Sequence, residues 1–302
     1  MSIDYTTRIF TMSDFNDLTA LFSREFSQTD RLLSQTYTQW LYIENPFGPA
    51  RIVTAVKEGA WVGFLAMMPV ILARRQGPRL AYYVVNVLVD NTHRGQNIFG
   101  EMIGIAAGQA RSEEALLVGH PNEAAYGAWR RAGMHFQEPL RLRFVWGDCA
   151  QSCGLTLDEI VDGPEFSRLI EAYNKETEST SKFRIILSSQ YINWRYRAHP
   201  TTRYRVRLLC ESGKPVGLIA TKRLRPAIHL WLDQFTLGDF ESDGVGMAPW
   251  LTLAFATEGY VTSHPRLWTA PWKKEIPFFC TDVQRPLDRG DTERLGLSIT
   301  DF

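Results

Sequence analysis

The sequence predicts an α/β (α+β) protein of two domains, each a mixed, mostly antiparallel sheet flanked by helices. Three observations predict it. The chain has 302 residues, about twice an ordinary domain of roughly 100–150 residues. A stretch that starts at Ser34 returns at Ser188, 154 positions later. Apolar spacing switches repeatedly between period two and period 3.6, as it does where strands and helices alternate.

The repeat sets the domain organisation. "SQTYTQWLYIENPFGPARIVTAVKEGAWVGFLA" and "SSQYINWRYRAHPTTRYRVRLLCESGKPVGLIA" align without a gap, with ten of 33 positions identical, Trp40/Trp194, Tyr42/Tyr196 and Pro46/Pro200 among them. Chance gives about two at ordinary residue frequencies. Each copy reads as a short aromatic helix, a turn at the proline, an alternating strand, a glycine turn and a second strand. The aromatic residues, present in both copies, read as packing beneath that hairpin. "WGDCAQSCGL", from Trp146 to Leu155, breaks the periodic pattern with glycine and small polar residues, so the expected domains are 1–148 and 149–302.

The elements of the first half follow in order. "RIFTMSDFNDLTALFSREF" has the spacing of a strand and then an amphipathic helix. The stretch from Arg51 to Asp90 reads as three antiparallel strands, the last of them "LAYYVVNVLVD". "FGEMIGIAAGQA" returns to helical spacing, and "ALLVGHP" is a buried strand that leads into a helix from Asn122. The second half makes the same passage with an acidic loop and no arginine at the strand–helix junction.

That junction in the first half, "NTHRGQNIFG", is the most informative stretch. A strand that ends in a tight turn and opens a helix aims several unpaired N–H groups, and the positive end of the helix dipole, at one point. Arg94 adds a cation, Gly95 and Gly100 permit close backbone approach, and Asn97 is among the few non-glycine residues that tolerate a left-handed conformation. The pattern describes an anion site or, equally, an ordinary helix start.

Two segments identify a family. "VNVLVDNTHRGQNIFGEMI" resembles the strand, pyrophosphate loop and helix of the GCN5-related N-acetyltransferases, and "HPNEAAYGAWRRAGMHF" resembles the stretch that follows their fifth strand. Trp129 stands where that family usually has tyrosine, and Asn97 and Phe99 replace two small residues. The resemblance covers the first half, from Arg8 to about Val145, and it implies that the domains are GNAT-like, the second one degenerate. It also implies acyl transfer, with acetyl-CoA or another acyl-CoA as co-substrate, to the amine of a small molecule such as an amino sugar or an amino-acid-like compound. The main chain of Leu88 and Val89 would then pair with the pantetheine arm. The N–H groups from Arg94 through Gly95, Gln96, Asn97, Ile98 and Phe99 to Gly100 would hold the pyrophosphate, with Asn122 at the cofactor or capping its helix.

Acyl transfer from a thioester needs a deprotonated amine and a protonated leaving thiol. His120, at the end of the fifth strand, is a candidate base or a histidine that ties down the loop before Pro121. Asn86 either orients a water or acceptor, or makes a structural hydrogen bond. Tyr126, one turn before Trp129, is a substitute acid or a packing residue. An indole N–H is essentially non-acidic, so Trp129 itself supplies no acid.

Composition narrows the other classes. Lys+Arg and Asp+Glu are both 33, so no general field draws nucleic acid or an anionic membrane. The longest apolar run, Trp61 to Ala73, is short for a membrane span and is broken by Gly63 and Pro69. The first residues do not read as a signal peptide, which makes the cytoplasm the expected location. "CAQSC" lacks further ligands for zinc, and no metal is expected. A homodimer is compatible with the sequence. Two other functions stay open: a non-catalytic acyl-CoA-binding or regulatory module, and an aminoacyl transferase of the peptidoglycan-bridge type.

Overall fold

The structure is a computed structural model that describes residues 2–27, 30–136, 140–147, 163–178, 184–211, 214–225, 228–237, 251–255, 267–276 and 279–282. Most of the 146–155 segment, with Cys149 and Cys153, lies outside them. The first half runs β1 (Asp4–Ile9), α1 (Phe15–Phe22), α2 (Gln35–Tyr42), β2 (Arg51–Lys57), β3 (Ala60–Arg74), β4 (Gly77–Val89), α3 (Ile98–Ser112), β5 (Leu116–Gly119), α4 (Glu123–Arg131) and β6 (Leu140–Gly147). There follow α5 (Pro164–Thr177), β7 (Arg184–Ile185), α6 (Ser189–Ile192), a π-helical turn (Asn193–Arg197), β8 (Tyr204–Glu211), β9 (Lys214–Arg225), β10 (Ile228–Thr236), β11 (Leu251–Phe255), β12 (Leu267–Ile276) and β13 (Phe279–Asp282).

The strands form two sheets, ordered β1-β2-β3-β4-β5-β13 and β12-β6-β11-β10-β9-β8, with β7 added against β3. β2, β3 and β4 are antiparallel neighbours, as their alternating pattern predicts, and β4 pairs parallel with β5. β8, β9 and β10 repeat the antiparallel arrangement, and β10 pairs parallel with β11. The last strands are exchanged between the halves. β13 lies antiparallel to β5 in the first sheet, while β6 inserts between β11 and β12 in the second. Each sheet is therefore completed by a strand from the other half of the chain.

Local chemistry explains the repeated segment. Ser34 and Ser188 cap α2 and α6, accepting from Tyr37 N at 3.4 Å and Tyr191 N at 3.0 Å. Glu58 (φ 54°) and Gly59 (φ 80°) both take left-handed conformations between β2 and β3, the backbone that a tight hairpin demands. At Gly63 any side chain would meet Ile98 Cγ2 and Met102 Sδ at 3.0 Å, so the glycine lets α3 lie directly on the sheet.

The two faces of the first sheet differ. On one, α3 and α4 cover Val53, Leu65, Tyr82 and Val84 through Ile98, Met102 and Trp129. On the other, Phe10, Trp40, Tyr42 and Phe64 join a core that continues through Phe166, Trp194, Leu208 and Leu218 of the second half. Trp40 and Trp194 stack at 4.9 Å with their planes 17° apart. Each indole donates to the backbone carbonyl of the other at 2.9 Å. All four repeated aromatics, Trp40, Tyr42, Trp194 and Tyr196, are buried, which is the packing role expected for them.

Candidate active site

β4 and β5 stay together only from Ala81–Leu116 to Val84–Gly119. One residue later β4 bulges: Val85 faces Ala66 and Leu88 faces Phe64, so Asn86 and Val87 share the place opposite Leu65. Asn86 stands at φ 51°. An extra residue of this kind bends the strand and sharpens its twist, and beyond it β4 leaves β5. Between the end of β4, the start of α3 and the flank of α4 opens a cleft of about 1080 Å³.

The floor of the cleft is the β4–α3 turn. Asp90 is buried and anchors the turn: it accepts from the Thr92 amide at 2.9 Å and from the Thr92 hydroxyl, and pairs with Arg24 from the end of α1. The Thr92 hydroxyl, and after it the Arg24 guanidinium, hold its carboxyl well below the usual carboxylate range despite the opposing effect of burial. Gly95 (φ 83°) and Asn97 (φ 58°) are both left-handed, which turns successive N–H groups toward one side. The first intrahelical bond of α3 runs from Glu101 N to Asn97 O. The amides of Ile98, Phe99 and Gly100 therefore precede the ladder and face the turn, where the helix dipole favours an anion.

Leu88, Val89, Arg94, Gly95, Asn97, Ile98, Phe99, Gly100 and Asn122 all border this cleft. Gln96 is exposed at the turn and does not. Arg94 ion-pairs with Glu25 at 2.9 Å, and the other carboxylate oxygen of Glu25 accepts from Asn91 N at 3.1 Å. Asn122 caps α4 by accepting from Ala125 N at 2.8 Å. The opposite wall is a strip of small residues, Ala124, Ala125, Ala128 and Ala132, that ends at Arg131. The 124–128–132 spacing was the available sequence signal for that wall, and Arg131 adds a second cation to the site.

The residues singled out for proton handling lie apart from the cleft. His120 Nδ1 and Tyr83 Oη are 2.6 Å apart, and desolvation lowers the imidazole pKa to about 3. In the neutral ring the tautomer sets the direction: Nδ1 accepts from the Tyr83 hydroxyl when the proton sits on Nε2, and donates to it when the proton sits on Nδ1. Asn86 Nδ2 donates to Tyr42 Oη at 2.8 Å. Tyr126 packs edge-on against Phe136 at 4.5 Å, and Arg130 lies over its ring at 5.9 Å. Trp129 is buried and meets Phe99 edge-on at 5.5 Å. Two of the sequence's departures from the family pattern thus form one contact, which ties α3 to α4 beside the cleft.

Residues 6–136 match the model of a family described as an acetyltransferase (GNAT) domain. The first half of this protein is a GNAT acetyltransferase domain. The chain carrying it has the fold of solved GCN5-related N-acetyltransferases. The one from Anabaena variabilis is 13% identical with a TM-score of 0.63, over 93% of this chain and 73% of that one. The one from Kribbella flavida is 12% identical with a TM-score of 0.62, over 92% and 71%. Eis1 from Mycobacterium abscessus is 12% identical with a TM-score of 0.58, over 91% and 73%. No curated protein matches the sequence. Among the described residues, no helix is long and apolar enough to cross a membrane, and no three His, Cys, Asp or Glu side chains are grouped to hold a metal ion.

Proposed function

We propose that this GNAT domain binds acetyl-CoA or another acyl-CoA in the cleft between β4, α3 and α4 and transfers the acyl group to the amine of a small molecule. The observation that carries the reading is the pair of left-handed residues, Gly95 and Asn97, in front of the unsatisfied amides of α3. A diphosphate is the anion that such a series of N–H groups accommodates, and Arg94 and Arg131 supply countercharge. Leu88 and Val89, beyond the last β5-paired residue of β4, have main-chain groups available to an extended arm. The alanine strip on α4 leaves room for it. We read the second half as a degenerate copy of the same unit, a reading supported by the reciprocal bonds of Trp40 and Trp194.

The bound thioester supplies an activated carbonyl; proton handling falls to the chain. His120 is proposed as acceptor for the amine proton. With its pKa lowered to about 3 it holds that proton only briefly and must pass it to solvent. Asn86 is proposed to act through the backbone it shapes. Tyr126, which packs on Phe136, is the proposed acid only if it leaves that contact. Binding without turnover is a second reading favoured by one observation: among the described residues, no tyrosine borders the cleft.

Titration calorimetry with acetyl-CoA tests the site, using the intact protein and the double variant Arg94→Glu, Gly95→Asp. Binding that the double variant abolishes is the expected result. Binding of equal strength in both proteins would place the ligand elsewhere. Release of CoA thiol over a panel of amines then separates turnover from binding alone.

A further inference from the structure

We propose that Tyr42 is a positioning residue: its hydroxyl holds Asn86 in the left-handed conformation that makes the β4 bulge, and so sets where the end of β4 stands against the acyl arm. The inference rests on the acyl-CoA reading of the cleft.

Three observations place Tyr42 in that role. Asn86 sits between Val84, the last residue of β4 paired with β5, and Val87, the first that borders the cleft. It is the hinge at which the strand passes from sheet to site. Its φ of 51° is one that a non-glycine residue adopts against a steric penalty, reduced for asparagine. The side-chain amide spans 44 positions of sequence to donate to Tyr42 Oη at 2.8 Å, rather than bonding its own backbone as asparagine does in turns.

Tyr42 cannot follow if Asn86 moves. Its ring is 1% exposed, wedged between Phe10 at 4.9 Å and Phe64 at 5.9 Å. It closes α2, and Trp40, half a turn earlier, ties that helix to Trp194. The acceptor for Asn86 is thus fixed by both halves of the protein. Burial pushes the phenol well above its ordinary range, so the hydroxyl stays neutral and the contact persists at every working pH.

The test uses the full chain as wild type, Tyr42→Phe, Asn86→Gly and the double variant, with two probes. Acetyl-CoA engages both the turn and the end of β4, whereas ADP carries only the diphosphate and nucleoside. Glycine adopts the left-handed conformation without help, so in its background the hydroxyl has nothing to hold. Tyr42→Phe is expected to weaken acetyl-CoA about five-fold or more, the scale of one hydrogen bond, and to leave ADP unchanged. The same substitution in the Asn86→Gly background is expected to change neither. Equal loss of acetyl-CoA in both backgrounds would assign Tyr42 to packing alone and overturn the proposal. So would parallel loss of ADP and acetyl-CoA, or tighter acetyl-CoA binding by Tyr42→Phe. A wild type that binds ADP and not acetyl-CoA removes the positioning role while sparing the turn. One that binds neither removes the acyl-CoA reading itself, before any variant is considered.

Discussion

Replacing Gly104 should move stability and binding in opposite directions. Gly104 lies inside α3, borders the cleft, and a Cβ built on it meets no atom within 4 Å. Gly108, one turn further along, has the same open surroundings and does not border the cleft. A glycine in a helix interior is about 0.8–1.0 kcal/mol less favourable than alanine, and leucine is close to alanine. Gly104→Leu and Gly108→Leu should therefore each stabilise the fold by roughly 0.5–1 kcal/mol, a rise of about 1–4 °C in Tm. Their effects on ligand part company. The isobutyl group that Gly104→Leu introduces would occupy the cleft, and a ten-fold loss of acetyl-CoA affinity corresponds to about 1.4 kcal/mol, a small demand on a four-carbon obstruction. The Gly108→Leu protein should bind as wild type does. Thermal melts and calorimetric titrations of the three proteins settle it: a Gly104→Leu protein that folds and retains wild-type affinity shows that the cleft is not the acyl-CoA site.

Two further outcomes follow from the same geometry. Trp194→Phe removes an indole donor and leaves the buried Trp40 carbonyl unsatisfied, for which about 1–3 kcal/mol is expected. The protein should melt several degrees lower in one transition, and two separate transitions would show that the halves do not share a core. His120 is held neutral in the fold, with its pKa depressed from the usual 6.5 to about 3, so the unfolded chain binds the extra proton first as pH falls. Its contribution is present above about pH 6.5 and is lost as pH drops toward 3. Urea unfolding at pH 7 and pH 4.5 should show a smaller pH-dependent loss for His120→Gln than for wild type, and an equal loss in both would contradict the assigned burial.

The parts of the site that were legible in sequence are those built from neighbours. Asn97 and Gly95 announce left-handed backbone by residue type, Asn122 announces a cap three residues before its donor, and the Glu58–Gly59 turn announces a hairpin. The parts that were not legible depend on partners far away along the chain. Arg24 meets Asp90 across 66 positions and Arg94 meets Glu25 across 69. Nothing in either local pattern distinguishes a clamp from a solvated charge. Asn86 shows the same limit. A polar residue in an apolar strand marks a special position, yet its left-handed geometry and its bond to Tyr42 come from the register of β3 against β4. Exchange of β6 and β13 is a topological choice, and two strands with the same alternation carry no label for the sheet they join.

That exchange and the tryptophan pair bear on what the second half contributes. β5 is paired on one side by β4 only as far as Val84–Gly119, and on the other by β13 along Leu116 to Gly119. β13 thus pairs with the same four residues of β5 that β4 does, and His120 follows directly at their end. α2 is likewise fixed from the second half through Trp194, and it carries the hydroxyl that receives Asn86. Both rims of the gap between β4 and β5 are thus anchored, one by a strand and one by a helix, to residues beyond 190. The bonds of the Gly95–Asn97 turn are all internal to the first half, whereas both anchors come from the second. On the acyl-CoA reading proposed above, the second half then contributes to positioning of the acyl site, and the first half to recognition of the anion.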